Sequence, residues 1–198
     1  MPEKEIHFRE FQKALQRATE SMNEYYFRIG MADLEEYRYR ERVYCYELYH
    51  QLRLALECFP YTLQGEMDKG GHPIIHPEIG PVKPDFILHE PKAMDANLVV
   101  MEVKPLNNSK ERGLKKDLKS LTGFLDLGYY RAIHLIYGSL GRGNGGISKV
   151  INAYREYNGD SDRLNAYHGK LLLYWHKAYG EAAIIYDWER GDFNSNDK

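Results

Sequence analysis

Four consecutive apolar residues, Leu98-Val99-Val100-Met101, lie in the stretch NLVVMEVKP and constrain the fold more than any other feature of the chain. Side chains of a strand alternate between its two faces, so an unbroken apolar run predicts a central strand covered on both sides. The next segment sharpens this. Leu114, Leu118, Leu121 and Leu125 recur at helical spacing, Gly128 ends that helix, and RAIHLIYGS is again an apolar strand. Strand, helix and strand in this order predict a parallel, right-handed crossover. Upstream, PDFILHE reads as a strand joined to NLVVMEVKP through the polar loop PKAMDAN, and YTLQGEMDK at 61–69 as a short strand before a Gly/Pro-rich connection. The expected class is α/β (α+β), with a mixed β-sheet flanked by helices.

The ends of the chain have their own patterns. Phe8, Phe11, Leu15, Ala18, Met22, Tyr25 and Ile29 recur at alternating spacings of three and four, which predicts one amphipathic helix that stops at Gly30. Asp33 followed by Glu36 reads as an N-cap with its partner, opening a second helix to about Cys58, just before Pro60. Leu34, Tyr37, Tyr44, Leu48, Leu52, Ala55 and Phe59 form its expected buried stripe. Two long helices joined by so short a loop predict an N-terminal antiparallel helical hairpin. After the crossover, Ile147, Val150, Ile151, Tyr154 and Tyr157 mark a further helix, KLLLYWHK and EAAIIYDW a closing pair of strands, and GDFNSNDK a frayed tail.

Composition narrows the functional classes. With 198 residues and 43% hydrophobic content, one domain can bury a sizeable core without disulfides or a structural metal. Lys and Arg total 27 against 29 Asp and Glu, a formal net charge of -2 that excludes indiscriminate, charge-driven binding to nucleic acid. Cys45 and Cys58 lack metal-ligand spacing and read as two small buried hydrophobes. Two cysteines, no secretory leader and no apolar run long enough to span a bilayer point to a reducing, cytoplasmic setting without membrane contact. Tyrosine is in excess, 17 against 7 Phe and 2 Trp, and seven of the tyrosines fall between Tyr25 and Tyr49. They are expected to pack the helical hairpin, to stack on bases, or both, and the hairpin has apolar surface enough for a homodimer interface.

Chemistry concentrates on two strands. Pro84-Asp85 opens one, and Glu102-Val103-Lys104 ends the next, with Glu102 and Lys104 on one face. A hairpin brings Asp85 beside Glu102, and two adjacent carboxylates repel unless a cation sits between them. A hard divalent ion such as Mg²⁺ or Mn²⁺ suits such oxygen ligands and keeps positions open for water and a phosphate oxygen. Lys104 is then placed to position or help deprotonate the attacking water, or to steady charge on the phosphate. Glu47, in Tyr46-Glu47-Leu48-Tyr49-His50, could add a carboxylate from a helix; Glu41 and Glu57 on that helix and Glu66 on the first strand are alternatives.

Glu47 on a helix, then Pro84-Asp85, then Glu102-Val103-Lys104 resembles the PD-(D/E)XK nuclease superfamily, whose fold is restriction-endonuclease-like. The resemblance covers about half the chain. It implies a core at 33–138, with 1–32 as an N-terminal helical arm and 139–198 as a C-terminal helix and strands. It implies a metal held by Asp85 and Glu102 with the Val103 carbonyl as a third ligand, Lys104 as the catalytic lysine and Glu47 as the helical acid. The implied activity is metal-dependent hydrolysis of nucleic acid, DNA in the first instance, or, where catalysis has been lost, binding of nucleic acid or a protein partner. The exonuclease-like branch adds Gln-x-x-x-Tyr on the crossover helix, which here carries Lys115, Lys116 and Lys119 instead.

That helix, with Lys110, Lys115, Lys116 and Lys119, is expected to contact phosphates flanking the scissile bond, and Arg142 in the loop GSLGRGNGG to face the substrate. Gly141-x-Gly143-x-x-Gly146 spells a dinucleotide fingerprint, but it lies late in the fold and no acidic residue ends a following strand. His72 and His76 would need a helix to share zinc, and Pro73 and Pro77 forbid one.

Overall fold

The computed structural model describes residues 3–32, 34–67, 80–91, 96–139, 146–157 and 167–194. His72, His76 and Arg142, with the rest of the loop from 140 to 145, lie outside the described residues. In chain order the elements are α1 (Glu3–Glu20), α2 (Glu24–Phe27), β1 (Ile29–Met31), β2 (Leu34–Arg38), α3 (Glu41–Ala55), β3 (Thr62–Gly65), β4 (Phe86–His89) and β5 (Asn97–Pro105). A 3-10 turn at Leu106–Asn108 leads to α4 (Glu111–Asp126), β6 (Arg131–Tyr137), α5 (Gly146–Tyr157), β7 (Leu171–His176), β8 (Ile184–Asp187) and β9 (Asp192–Phe193).

Strands β3 to β9 form one mixed sheet of seven in sequential order. The pairs β3–β4 and β4–β5 are antiparallel, β5–β6 and β6–β7 parallel, and β7–β8 and β8–β9 antiparallel. The crossover expected between the two apolar strands is therefore present: α4 links β5 to β6, which lie side by side and parallel.

Alternation divides the sheet's side chains between two cores. Phe86 and Leu88 of β4, Val99, Met101 and Val103 of β5, and Ile133, Leu135 and Tyr137 of β6 join Phe8, Phe11 and Leu15 of α1 and Tyr44, Leu48 and Leu52 of α3. Ile87, Val100, Ala132 and Ile136 face the other way, onto Leu114, Leu118, Leu121 and Phe124 of α4 and Val150 and Tyr154 of α5. Val99, Val100 and Met101 are fully buried, as the apolar run demanded. Burying each such side chain contributes roughly 1.5–3 kcal/mol, so this strand is a main source of stability.

The N-terminal helical hairpin is corrected. α1 and α3 do share a core, but a short helix and a two-stranded hairpin separate them. Asn23 caps α2, its side chain accepting from the backbone N–H of Tyr25, which breaks the long helix expected to reach Ile29. β2 takes residues 34–38, where the second helix was expected to begin. The sequence Glu36-Tyr37-Arg38-Tyr39-Arg40 alternates aromatic and charged residues with period two, and that pattern outweighs the three-residue step from Leu34 to Tyr37. As a result Tyr25 and Tyr37 are exposed, while Tyr44 is buried and stacks on Tyr137 with centroids 3.9 Å apart. Two smaller expectations also change: Cys58 is exposed while Cys45 is buried, and Asp192–Phe193 of the tail adds a strand to β8. No helix among the described residues is long and apolar enough to cross a membrane.

Tyr39 ties the hairpin to the sheet. Its ring packs edge-on to Phe27 and Tyr137, and its hydroxyl donates to the Ser139 carbonyl at 3.2 Å. The ring lies directly over Gly138, where a Cβ would meet Tyr39 Cε1 at 2.8 Å with φ at +90°. Gly128, just past α4, has φ +91° and open space around it. The pair separates strain from clash. Gly128→Ala should cost about 1–2 kcal/mol for the left-handed backbone. Gly138→Ala should cost a further 1–3 kcal/mol, roughly, for overpacking against Tyr39. Denaturant unfolding of the two variants checks the difference; equal losses would place the Tyr39 ring elsewhere.

Candidate active site

The polar cluster forms where the apolar face of β5 runs out. Its ladder with β4 ends at Phe86 opposite Met101, and Asp85 and Glu102 are the residues just past that end, close enough for the charge of Asp85 to act on Glu102. In the parallel ladder with β6, Glu102 aligns with His134. Glu102, Lys104 and His134 thus share one face, the one covered by α4.

Helix α4 answers them with polar side chains of its own. Ser120 Oγ donates to Glu102 Oε1 at 3.2 Å, and Lys104 Nζ lies 2.8 Å from Asp117 Oδ2. Two residues of strand rise about 6.6 Å and three of helix about 4.5 Å, so the pairs 102–120 and 104–117 match a helix running back along the strand. His134 Nε2 stands 3.7 Å from the same Asp117 oxygen, and its Nδ1 lies 3.2 Å from the Tyr154 hydroxyl. Asp85 is fixed from the other side: the Val103 N–H donates to its Oδ2 at 2.7 Å.

The helical acid that reaches this cluster is Glu41, whose charge acts on Asp85 and Lys104, while Asp117 acts on Glu41 in turn. It begins α3 on the line continued by Tyr44, Cys45, Leu48 and Leu52, the face turned to the sheet. Glu47 lies off that line and accepts from Gln51 Nε2 at 2.7 Å along its own helix. Glu57 is exposed, and Glu66 pairs with Lys83 at 2.7 Å and Arg42 at 3.5 Å. Glu66 still borders the site, since its N–H donates to the Asp85 carbonyl.

Four carboxyl groups, Glu41, Asp85, Glu102 and Asp117, therefore surround one lysine, and the titration behaviour records the imbalance. Burial, then the charges of Asp85 and Asp117, push the Glu102 carboxyl well above its ordinary range. Burial, with Glu41 and Asp117 nearby, raises Asp85 to about 7 against the Val103 hydrogen bond and Lys104, which pull it down. Asp117 and Glu41 are raised by burial as well. For Lys104 burial pulls downward, but the hydrogen bond and charge of Asp117, with Glu41 and Glu102, lift it above the usual lysine value. Burial and the Lys104 charge lower His134 to about 3, so it is a neutral imidazole. A neutral histidine beside an ammonium leaves the excess acid uncompensated.

An all-oxygen donor set with surplus negative charge fits a hard divalent cation. Among the described residues, no three His, Cys, Asp or Glu side chains stand together as a ready-made metal cage. Two carboxylates with open water positions are instead the pattern in which Mg²⁺ is commonly held. The residues that could hold it are Asp85 and Glu102; the Val103 backbone adjoins Asp85 through its N–H.

Lys110, Lys116 and Lys119 are exposed along α4 and at its cap, while Lys115 is paired with Glu111 at 2.5 Å. Lys116 is close enough to act on Asp117. Asp117, Ser120 and His134 escaped the motif. The available signal was positional, because Asp117 lies on the stripe set by Leu114 and Leu121 and so could not be a solvated helix residue. Comparison with protein-family models, with curated proteins and with solved structures returns no match to this chain.

The raised carboxyls give a signed prediction for metal-free protein. A carboxyl whose folded pKa lies above its unfolded value disfavours folding once ionised, so stability should fall as pH rises from about 4 through about 7. Asp85→Asn should remove part of that loss and be more stable than the parent at pH 8 by about 1 kcal/mol or more, since each pH unit between the folded and unfolded pKa corresponds to about 1.36 kcal/mol. Urea unfolding in EDTA at pH 5 and pH 8 tests this; a variant less stable at both would refute it.

Proposed function

We propose that the chain is a metal-dependent nuclease that hydrolyses phosphodiester bonds of nucleic acid, DNA in the first instance, on a restriction-endonuclease-like core. The observation that carries the reading is the pair of neighbouring carboxylates Asp85 and Glu102, just past the end of the β4–β5 ladder and near Lys104, in a cluster with more acid than base. The order of α3, the antiparallel strands β3 to β5, the crossover α4 and β6 supports it, being the order that the resemblance to the PD-(D/E)XK superfamily implies.

Asp85 and Glu102 would hold the cation, which would supply charge neutralisation on the phosphate and a more acidic water. The Val103 N–H fixes one Asp85 oxygen and Ser120 steadies Glu102, so both carboxylates are oriented before substrate arrives. Asp117 positions Lys104 and keeps it an ammonium. In that state Lys104 cannot take a proton; it donates hydrogen bonds to an oxygen of the attacking water or phosphate and stabilises the charge that builds there.

Cleavage of plasmid and labelled oligonucleotides in Mg²⁺ or Mn²⁺ should be lost in Asp85→Asn and reduced about 10²–10³-fold in Lys104→Ala, the usual cost of one preorganised donor. Calorimetric titration should show divalent-ion binding to the parent and none to Asp85→Asn. Equal cleavage by parent and Lys104→Ala, or none on any DNA or RNA, would overturn the enzymatic reading. The tight Lys104–Asp117 pair favours a second reading, a non-catalytic protein that keeps the cleft for binding; binding of nucleic acid without metal-dependent cleavage would select it.

A further inference from the structure

The cluster has an antechamber. Arg38, Tyr39, Arg40 and Glu41 on one side and Pro105, Asn107 and Asn108 on the other line a cleft of about 540 Å³. It adjoins the site: Glu41 lines it and acts on Asp85 and Lys104, and Pro105 directly follows Lys104. Arg38 and Arg40 are exposed, and among the described residues neither forms an ion pair. The neighbouring Arg42, by contrast, is paired with Glu66 at 3.5 Å. The cleft is therefore lined by two arginines and two asparagines against a single carboxylate, Glu41, whose charge Lys104 partly offsets. Guanidinium groups bind phosphate oxygens bidentately, and Asn amides donate to phosphate and sugar oxygens without reading sequence.

We infer that this cleft receives the sugar–phosphate backbone of the strand being cut, with Arg38 and Arg40 as its phosphate contacts. The inference rests on the nuclease reading for the identity of the polyanion. It puts substrate contacts on Arg38 of β2, on Arg40 just before α3 and on the Leu106–Asn108 turn.

The test is fluorescence anisotropy of the full chain with a labelled single-stranded oligonucleotide in EDTA over a series of salt concentrations, paired with cleavage assays in Mg²⁺. Arg38→Ala and Arg40→Ala should each weaken binding severalfold and lower the slope of log K against log salt by about 0.7, the value for one phosphate contact on a single strand. Arg40→Lys should keep the slope. Arg53→Ala, at the far end of α3, should change nothing. In cleavage, the double alanine variant should raise KM with kcat little changed. An unaltered slope in the double variant, an equal drop in Arg53→Ala, or a mononucleotide binding as tightly as the oligonucleotide would overturn the inference. Arginine-dependent binding with no cleavage by the parent would sustain it and refute the nuclease reading. Cleavage with KM unmoved in the double variant would refute the inference alone.

Discussion

Strand β5 is covered on both faces, and everything distinctive in the molecule follows from how that cover ends. Up to Met101 its side chains are apolar on both sides. Beyond it Val103 still serves the core under α1 and α3, while Glu102 and Lys104 turn charged groups against α4. A charge facing a helix at that depth has to be met by a partner or be destabilising. Asp117 and Ser120 are those partners, one turn apart on the stripe that elsewhere carries leucine. The packing of α4 on the sheet and the orientation of the acidic cluster are thus one arrangement.

The arrangement is overcharged, and this argues for a role other than stability. A structural ion pair would balance Lys104 with one carboxylate, and Asp117 already does so. Asp85, Glu102 and Glu41 are additional, and each is held above its usual range by burial and by its neighbours. Groups strained in this direction cluster where an ion or a reaction repays them.

The sheet was largely legible in the sequence because its central strands are contiguous apolar runs with turn residues between them, and the β4–β5 hairpin and the α4 crossover fall where those runs place them. The segment 29–40 was not, because Leu34, Tyr37 and Tyr44 happen to fit a helical step while the residues between alternate as a strand. That Asp85, Glu102 and Lys104 come near one another was legible because the hairpin spacing and strand context bring them together. Glu41 and Glu47 sit on the same helix, and only the phase of the buried face distinguishes them; Glu41 extends the line of Tyr44, Leu48 and Leu52. His134 was hidden for the opposite reason, as one polar residue inside an apolar strand that only a known sheet register brings to Glu102.

The contact between Tyr39 and the Gly138–Ser139 corner joins residues a hundred positions apart in the chain. Contacts of that separation close large loops, which costs chain entropy and slows folding. The hairpin that carries Arg38 is thus docked on a corner of the sheet that lies at the end of β6. The acidic cluster at the end of β4 and β5 and the placement of Arg38 and Arg40 thus rest on different contacts, the second reaching to the corner past β6.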